Sequence, residues 1–132
     1  MNFSKLHFSA GEKPHNLQAE LYYLGNDLIV HLSGEGAHIG AVALAEPYKS
    51  DKRLSACVSV LSAYGHKDEA ILREGALLLA KHLKVRVIVV GGVHLDNASY
   101  EDINQIIANS KLIFDKIINY FKKKLSSPES KS

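Results

Sequence analysis

The chain has 132 residues, 46% of them hydrophobic, which suits one compact domain and leaves little room for two. With 16 basic and 14 acidic residues the net charge is only +2, so no nucleic-acid-binding surface is indicated. No apolar run approaches the roughly 20 residues that span a bilayer, and the N-terminus lacks the apolar core of a signal peptide. We therefore expect a cytoplasmic protein without membrane contact. The single cysteine, Cys57, lies in an apolar run and is expected to be buried and inert.

The first half of the chain is predicted to form strands joined by short turns. Apolar and polar residues alternate over Leu17–Tyr22, and an apolar run returns over Leu28–Leu32. The turn residues Gly25-Asn26-Asp27 lie between them, which predicts an antiparallel hairpin. Apolar runs elsewhere indicate further strands, and Glu46–Asp51 is expected to be a polar loop. The six predicted strands cover residues 3–8, 17–22, 28–32, 39–45, 54–61 and 85–90.

Two helices are predicted in the second half. Apolar residues recur at spacings of three and four over Lys67–Leu83, and Ser99 followed by Asp102 is a capping-box signal for a last helix. The core face of this last helix is expected to carry Ile103, Ile106, Ile107, Ile113, Phe114, Ile117, Ile118 and Phe121.

The order of these elements predicts an α+β fold. We expect a mainly antiparallel sheet of about six strands, with two helices packed on one face. A βαβ crossover, expected to be right-handed, would join the last two strands and make them parallel. A single domain over residues 1–125 and a disordered tail over 126–132 complete the interpretation.

One strand and the turn that follows it organise the rest of the chain. Val85–Val90 is almost entirely branched aliphatic, which is typical of a strand buried on both faces. Gly91-Gly92 then lets the backbone turn sharply or lie close to a neighbour. His94, Asp96 and Asn97 are thereby placed at the end of a rigid strand, where α/β-type proteins commonly build sites.

A second corner has the same design, because Gly65, His66, Lys67 and Asp68 follow the fifth strand and open the first helix. Unpaired backbone N–H groups at a helix start attract phosphate, and Lys67 adds charge. The alternative is that His66 and Asp68 only cap the helix. If the fifth and sixth strands are neighbours, both corners come out at the same edge of the sheet.

Catalytic motifs are weak in this sequence. His38, His66 and His94 have the ligand type of a zinc or iron site, but their spacing matches no compact metal motif. Nucleophilic catalysis is poorly supported, because no Gly-x-Ser-x-Gly elbow is present. A small metal-dependent enzyme that uses this histidine cluster and a non-catalytic protein-interaction subunit stay open as alternatives.

Three ordered blocks of the sequence resemble one known family. The blocks are His38–Ala43, Ser59–Glu69 and Gly91–Asn97, within a stretch from Gly25 to Ile107. Together they resemble the LpdD-like prenylated-flavin chaperones, the small accessory proteins of gallate-type decarboxylase systems. The resemblance implies a protein that is not itself an enzyme. Such a protein would bind prenylated flavin mononucleotide (prenylated FMN), made by a flavin prenyltransferase, and help deliver it to a UbiD-type decarboxylase.

The resemblance also implies where the flavin would bind. Its phosphate would contact Gly65–Lys67, and its flat ring would lie against a thin apolar wall of Gly40, Ala41 and Ala43. A homo-oligomer is expected as well, because small α+β domains often cover a free sheet edge by self-association. The predicted cofactor-binding residues are His38, Gly40, Gly65, His66, Lys67, Asp68, Gly92, His94, Asp96 and Asn97.

Overall fold

Six strands and two helices follow each other along residues 5–63 and 69–126, the parts of the chain that this computed structural model describes. The predicted tail at 126–132 therefore lies almost wholly outside the described residues. No helix in the described ranges is both long and apolar enough to cross a membrane. The elements are β1 (Leu6–Ala10), β2 (Leu17–Leu24), β3 (Asp27–Ser33), β4 (Ala41–Ser50), β5 (Arg53–Ser62), α1 (Glu69–Leu83), β6 (Val87–Gly92) and α2 (Tyr100–Ser126).

The six strands form one mixed sheet in the order β1-β2-β3-β6-β4-β5. Strands adjacent in sequence pair antiparallel from β1 to β3, and β4 pairs antiparallel with β5. The last strand, β6, enters between β3 and β4, parallel to the first and antiparallel to the second. The predicted α+β class and the mainly antiparallel sheet are confirmed. Because β4 is antiparallel to both β5 and β6, these two strands run in the same direction, as the predicted crossover requires.

The condition that β5 and β6 are neighbours is not met, although the two strands run in the same direction. Strand β4 lies between them because a tight turn pairs it with β5. Asp51 and Lys52 in that turn have φ of 49° and 68°, and positive φ at both central residues is typical of two-residue hairpin turns.

The prediction of a polar loop at Glu46–Asp51 is wrong over most of its length, because β4 continues to Ser50. Pro47 fits there because β6 pairs with β4 only over Ala41–Ala45. Beyond that point, no strand within residues 5–63 and 69–126 lies beside β4 on the side that faces away from β5. A missing backbone N–H therefore removes no bond to β6.

Both helices pack on the same face of the sheet. Helix α1 lies against β4, β5 and β6, and α2 lies against β1 and β2 and also contacts α1. The strand register brings Leu21, Val30, Val89 and Ala43 into one row on this face, and all four are buried. Most of the predicted core face of α2 is buried or half-buried as expected, but Ile103 is exposed.

No element in the described ranges packs on the other face of the sheet, which we call the open face. Strand β6 was predicted to be buried on both faces, yet Ile88 and Val90, on the open face, are only half-buried, whereas Val87 and Val89 are buried. In register order the open face carries the rows Tyr22-Ile29-Ile88-Leu44-Ser59 and Glu20-His31-Val90-Val42-Leu61.

Cys57 also lies on the open face, and the prediction of a buried thiol is wrong. Strand β5 is an edge strand, and on it Val58 and Val60 pack towards the core while Cys57 is exposed. The apolar run that contains this cysteine is thus covered on one side only.

Candidate functional site

Three segments of the chain meet at Gly40, directly before β4. The N–H of Gly40 donates to the carbonyl oxygen of Gly91 at 2.9 Å, and the carbonyl oxygen of Gly40 accepts from the N–H of Ala63 at 2.8 Å. Gly40 thereby ties the end of β6 to the end of β5. The ends of β5 and β6 therefore lie at one edge of the sheet, with β4 between them.

His38 and His94 lie next to each other at this edge. The backbone N–H of His94 donates to the carbonyl oxygen of Glu35 at 2.8 Å, and Nδ1 of His38 donates to that of Gly36 at 2.7 Å. The two imidazole rings meet edge to face, with centroids 6.5 Å apart. Gly36 permits the close approach of its own loop to the backbone of His94, since a Cβ at Gly36 would lie 2.6 Å from the carbonyl oxygen of His94. The loop before β4 and the loop after β6 are therefore in direct contact.

His94 also donates a hydrogen bond from Nε2 to Oδ1 of Asp96, at 3.1 Å. The two side chains are 63% and 93% exposed, so water competes for this hydrogen bond and its contribution to stability is small. Asn97 follows with φ of 54°, a backbone conformation that asparagine tolerates better than most residues. Both the imidazole and the carboxylate are accessible to a ligand.

Exposed apolar side chains accompany these polar groups. Ile39, between His38 and Gly40, is 69% exposed, and Leu61, near the end of β5, is 78% exposed. The predicted apolar wall is placed differently, because Ala41 and Ala43 are buried on the side of α1. The neighbouring open-face positions of β4 carry Val42 and Leu44 instead.

The predicted anion corner falls on Gly65, His66, Lys67 and Asp68, which lie outside the described residues. The first described helical residue, Glu69, accepts hydrogen bonds from Oγ of Ser62, at 2.9 Å, and from the guanidinium of Arg73. These bonds, that of Ser62 first, hold the pKa of the Glu69 carboxyl below its usual value. A carboxylate thus already lies at the start of α1, and an anion bound there would need cations nearby.

Sequence reasoning missed this arrangement of Ser62, Glu69 and Arg73. The four-residue spacing of Glu69 and Arg73 was a readable signal for a helical ion pair. The contact with Ser62 had no such signal, because it depends on where β5 ends relative to α1.

The structure describes two of the three histidines of the metal hypothesis. His38 and His94 are together, and His66 lies outside the described residues. Within 5–63 and 69–126, no three or more His, Cys, Asp or Glu side chains are grouped so that they could hold a metal ion.

A second histidine–aspartate pair, which sequence reasoning did not identify, lies at the start of α2. Nε2 of His15 donates to Oδ1 of Asp102 at 2.8 Å, and the N–H of Ser99 donates to Oδ2 at 2.9 Å. The N–H of Asp102 in turn donates to Oγ of Ser99 at 3.0 Å, so the predicted capping box is confirmed. His15 first, and then Ser99, lower the pKa of Asp102 from 3.8 to about 2. This pair holds the loop between β1 and β2 on the helix.

A family profile described as the prenylated flavin chaperone LpdD-like domain matches residues 11–122, which include every predicted site residue. The chain belongs to this family. The resemblance indicated by the three sequence blocks is confirmed, and membership supports a flavin-chaperone role.

A solved structure shows the same fold at low sequence identity. It is a chain from the crystal structure of a novel chaperone complex for yeast 20S proteasome assembly. The TM-score is 0.61 and the identity 13%, over 96% of this chain and 100% of that chain. At this identity the likeness concerns the fold alone. No curated protein matches the chain.

Proposed function

We propose that this protein binds prenylated FMN at the sheet edge around His38 and His94 and passes it to a UbiD-type decarboxylase. One observation carries the proposal: the described parts of the three blocks that resemble the LpdD-like family meet at Gly40, which bonds Gly91 after β6 and Ala63 after β5. Residues that are far apart in the sequence thus form one accessible surface at the end of a rigid sheet.

The described residues fit the ring of a flavin. Ile39 and Leu61 offer exposed apolar surface for the faces of the ring. The imidazoles of His38 and His94 and the carboxylate of Asp96 lie beside that surface as hydrogen-bonding groups for the polar ring edge. Flat rings with one polar edge need this combination of apolar contact and a few oriented polar groups.

The phosphate group would be held at the other half of the edge. In this proposal the backbone of Gly65 and the side chains of His66 and Lys67 contact the phosphate, and Arg73 supplies a further cation beside Glu69. Asp68, Gly92 and Asn97 complete the proposed set. Arg73 is the addition that the structure suggests, because its guanidinium already lies at the start of α1.

The chemistry of the flavin would be used elsewhere. Prenylated FMN supports decarboxylation once it is bound to the decarboxylase, and here it would be cargo received from a flavin prenyltransferase. A carrier must release its cargo, which requires only moderate affinity. A site with exposed histidine and carboxylate side chains meets that requirement, and we assign no catalytic residue to this chain.

Native mass spectrometry of the protein co-expressed anaerobically with a flavin prenyltransferase tests the proposal. We expect a bound mass of prenylated FMN, lost when the purified protein is mixed with a cofactor-free UbiD-type decarboxylase. His94→Ala should weaken retention of the flavin. The matched control is His82→Ala, at an exposed histidine in the last turn of α1, which should leave retention of the flavin unchanged.

Other spectra would contradict the proposal. A metal-sized adduct without flavin, lost in His94→Ala, would favour the metal-dependent enzyme. A spectrum without any ligand, together with a stable complex with another chain, would favour the interaction subunit.

A further inference from the structure

The end of the sheet farthest from His94 collects much of the positive charge of the chain. Strands β3, β5 and β6 begin at this end, β2 and β4 finish there, and both helices terminate there. Within residues 5–63 and 69–126 it carries three carboxylates, those of Asp27, Glu46 and Asp51. It carries nine of the 16 basic side chains, all of them exposed. We call this region the basic end, and its cations are Lys49, Lys52, Arg53, Lys81, Lys84, Arg86, Lys122, Lys123 and Lys124.

The helix dipoles explain only part of this charge. Lys81 lies in the last turn of α1, and Lys123 and Lys124 lie in the last turn of α2, where cations are favourable beside the helix dipole. Lys52 and Arg53 lie on the hairpin of β4 and β5 instead, which contains no helix. Three separate elements therefore contribute cations to one end of the molecule.

Two of these lysines occupy backbone positions that suit glycine better. Lys84, directly after α1, has φ of 60°, and its N–H donates to the carbonyl oxygen of Ala80 at 2.9 Å. This left-handed position commonly ends a helix and is usually glycine. Lys52 has φ of 68° in the turn between β4 and β5, where asparagine and glycine are preferred. The chain thus carries lysine at two places where a side chain strains the backbone.

An apolar groove opens at the basic end. It has a volume of about 260 Å³ and lies between the hairpin of β2 and β3 and the ends of both helices. Tyr23 and Leu28 line it from the sheet, Leu83 from α1, and Phe121 and Leu125 from α2. An apolar cavity of roughly 150 Å³ holds benzene, so this groove has room for a large apolar side chain.

We propose that the basic end docks an acidic segment of another protein, which inserts a leucine or aromatic side chain into the groove. Lys124 lines the groove and is exposed, so a carboxylate beside the inserted side chain meets a cation there. A groove fits a protruding side chain, whereas a flat bilayer surface would leave it unfilled. Because this end is opposite the His94 edge, an occupied groove leaves the flavin edge accessible. The docking site goes beyond the proposed function and does not depend on it.

Selection from a phage-displayed library of random dodecapeptides tests the docking site. Against the flavin-free protein we expect enrichment of peptides that combine several aspartates or glutamates with a leucine, phenylalanine or tryptophan. The affinity of a selected peptide is then measured by fluorescence anisotropy. It should fall as the NaCl concentration rises from about 50 to about 500 mM, because salt screens exposed charges.

Two substitutions separate the charge from the apolar contact. Lys124→Glu should weaken binding of a selected peptide about fivefold, because an attraction becomes a repulsion. Leu125→Ala should weaken it about tenfold, because the inserted side chain loses apolar contact in the groove. The matched controls are Lys111→Glu and Leu112→Ala, at exposed positions of α2 away from the basic end, and both should leave the affinity unchanged. Circular dichroism shows whether each variant keeps the fold.

Four results would overturn the proposal. They are the absence of any enriched peptide, enriched peptides without acidic residues, full affinity in Lys124→Glu or Leu125→Ala, and equal losses in the two controls. All these measurements omit flavin and address the end opposite His94. They can therefore fail while the flavin proposal holds, and the reverse.

Other occupants of the groove would give different signatures. Cosedimentation of the protein with phosphatidylserine vesicles, lost in Lys124→Glu, would assign the basic end to a membrane instead. Self-association in sedimentation analysis that is lost in Lys124→Glu would assign it to a second copy. A protein without residues 127–132 that binds a selected peptide about tenfold more tightly would assign the groove to that segment of the chain.

Discussion

Two histidine–aspartate pairs in this fold have the same chemical groups and different surroundings. His15 and Asp102 are 87 residues apart in the sequence, 24% and 33% exposed, and joined at 2.8 Å. His94 and Asp96 are two residues apart, far more exposed, and joined at 3.1 Å. The pKa of Asp102 is lowered to about 2 because its carboxylate accepts hydrogen bonds from His15 first and then from Ser99.

The difference separates a structural pair from one available to a ligand. Asp102 has its oxygens occupied by His15 and Ser99, and the carbonyl oxygen of His15 accepts from Nδ2 of the buried Asn109 at 2.8 Å. Groups with so many internal partners have little left to offer a ligand. His94 is held by its backbone N–H, which bonds Glu35, and the exposed side chains of His94 and Asp96 can exchange water for cargo.

The largest expected effect concerns the glycine that supports each pair. Gly91 beside the His94 edge has φ of 146°, and a Cβ there would overlap the backbone carbonyl of Leu32. Gly11 near His15 has φ of 81°, and its Cβ would meet the side chain of Asn109, which can shift only at the cost of its hydrogen bond to His15. Gly91→Ala should therefore destabilise the fold by more than about 3 kcal/mol, and Gly11→Ala by less.

Urea unfolding of both variants checks this order. Gly25→Ala is the control for the backbone conformation alone, since Gly25 has φ of 62° and no atom within 4 Å of the added Cβ. It should cost about 1–2 kcal/mol. Equal losses for Gly91→Ala and Gly25→Ala would show that the close approach of β6 to β3 is not required.

The next effect separates the two histidines, because each substitution should change either flavin binding or stability and leave the other unchanged. His94→Ala should weaken prenylated FMN binding about tenfold, through the loss of one hydrogen-bonding group, and leave the urea midpoint nearly unchanged. His15→Ala should lower the urea midpoint and leave flavin binding unchanged, because it frees the loop between β1 and β2 from α2. Flavin titration measures the affinity of each variant, and urea unfolding measures its stability. A His94→Ala variant that loses stability but binds normally would reverse the assignment.

A smaller effect tests the capping box that supports Asp102. Ser99→Ala removes the hydroxyl that accepts from the N–H of Asp102, at a cost of about 1 kcal/mol. Asn104→Ala, at an exposed position of the same helix, should stay within about 0.5 kcal/mol of wild type. If the two variants unfold at the same urea concentration, the cap contributes nothing measurable.

Local signals in the sequence predicted most of the elements of this fold. The hairpin around Gly25-Asn26, the helical spacing of α1 and the Ser99–Asp102 cap depend on neighbours in the chain, and all three are confirmed. The place of β6 between β3 and β4 depends on pairing between distant strands. That pairing also decided that Pro47 could stay within a strand.

The candidate site stays a prediction, made from the polar residues that follow β5 and β6, because strand ends are where a rigid sheet presents side chains. Those after β5, at 65–68, lie outside the described residues. The contacts of His38 with His94 and of Ser62 with Glu69 could not be predicted, since they depend on how separate loops settle against each other. Cys57 shows the same limit: its run is apolar, but the sheet order places it on an exposed edge.

The smallest effect is the pH dependence of stability that the carboxylate of Asp102 should give. The pKa of Asp102 falls from 3.8 to about 2 on folding, so the folded state favours the charged form. Its contribution to stability is therefore fully present above about pH 4 and is lost as the pH falls towards 2. Asp102→Asn should flatten the decline of the urea midpoint between these values, with Glu20 and Glu69, whose pKa values are also lowered, retaining part of it. A decline in Asp102→Asn as steep as that of the wild type would show that the carboxylate of Asp102 contributes nothing to it.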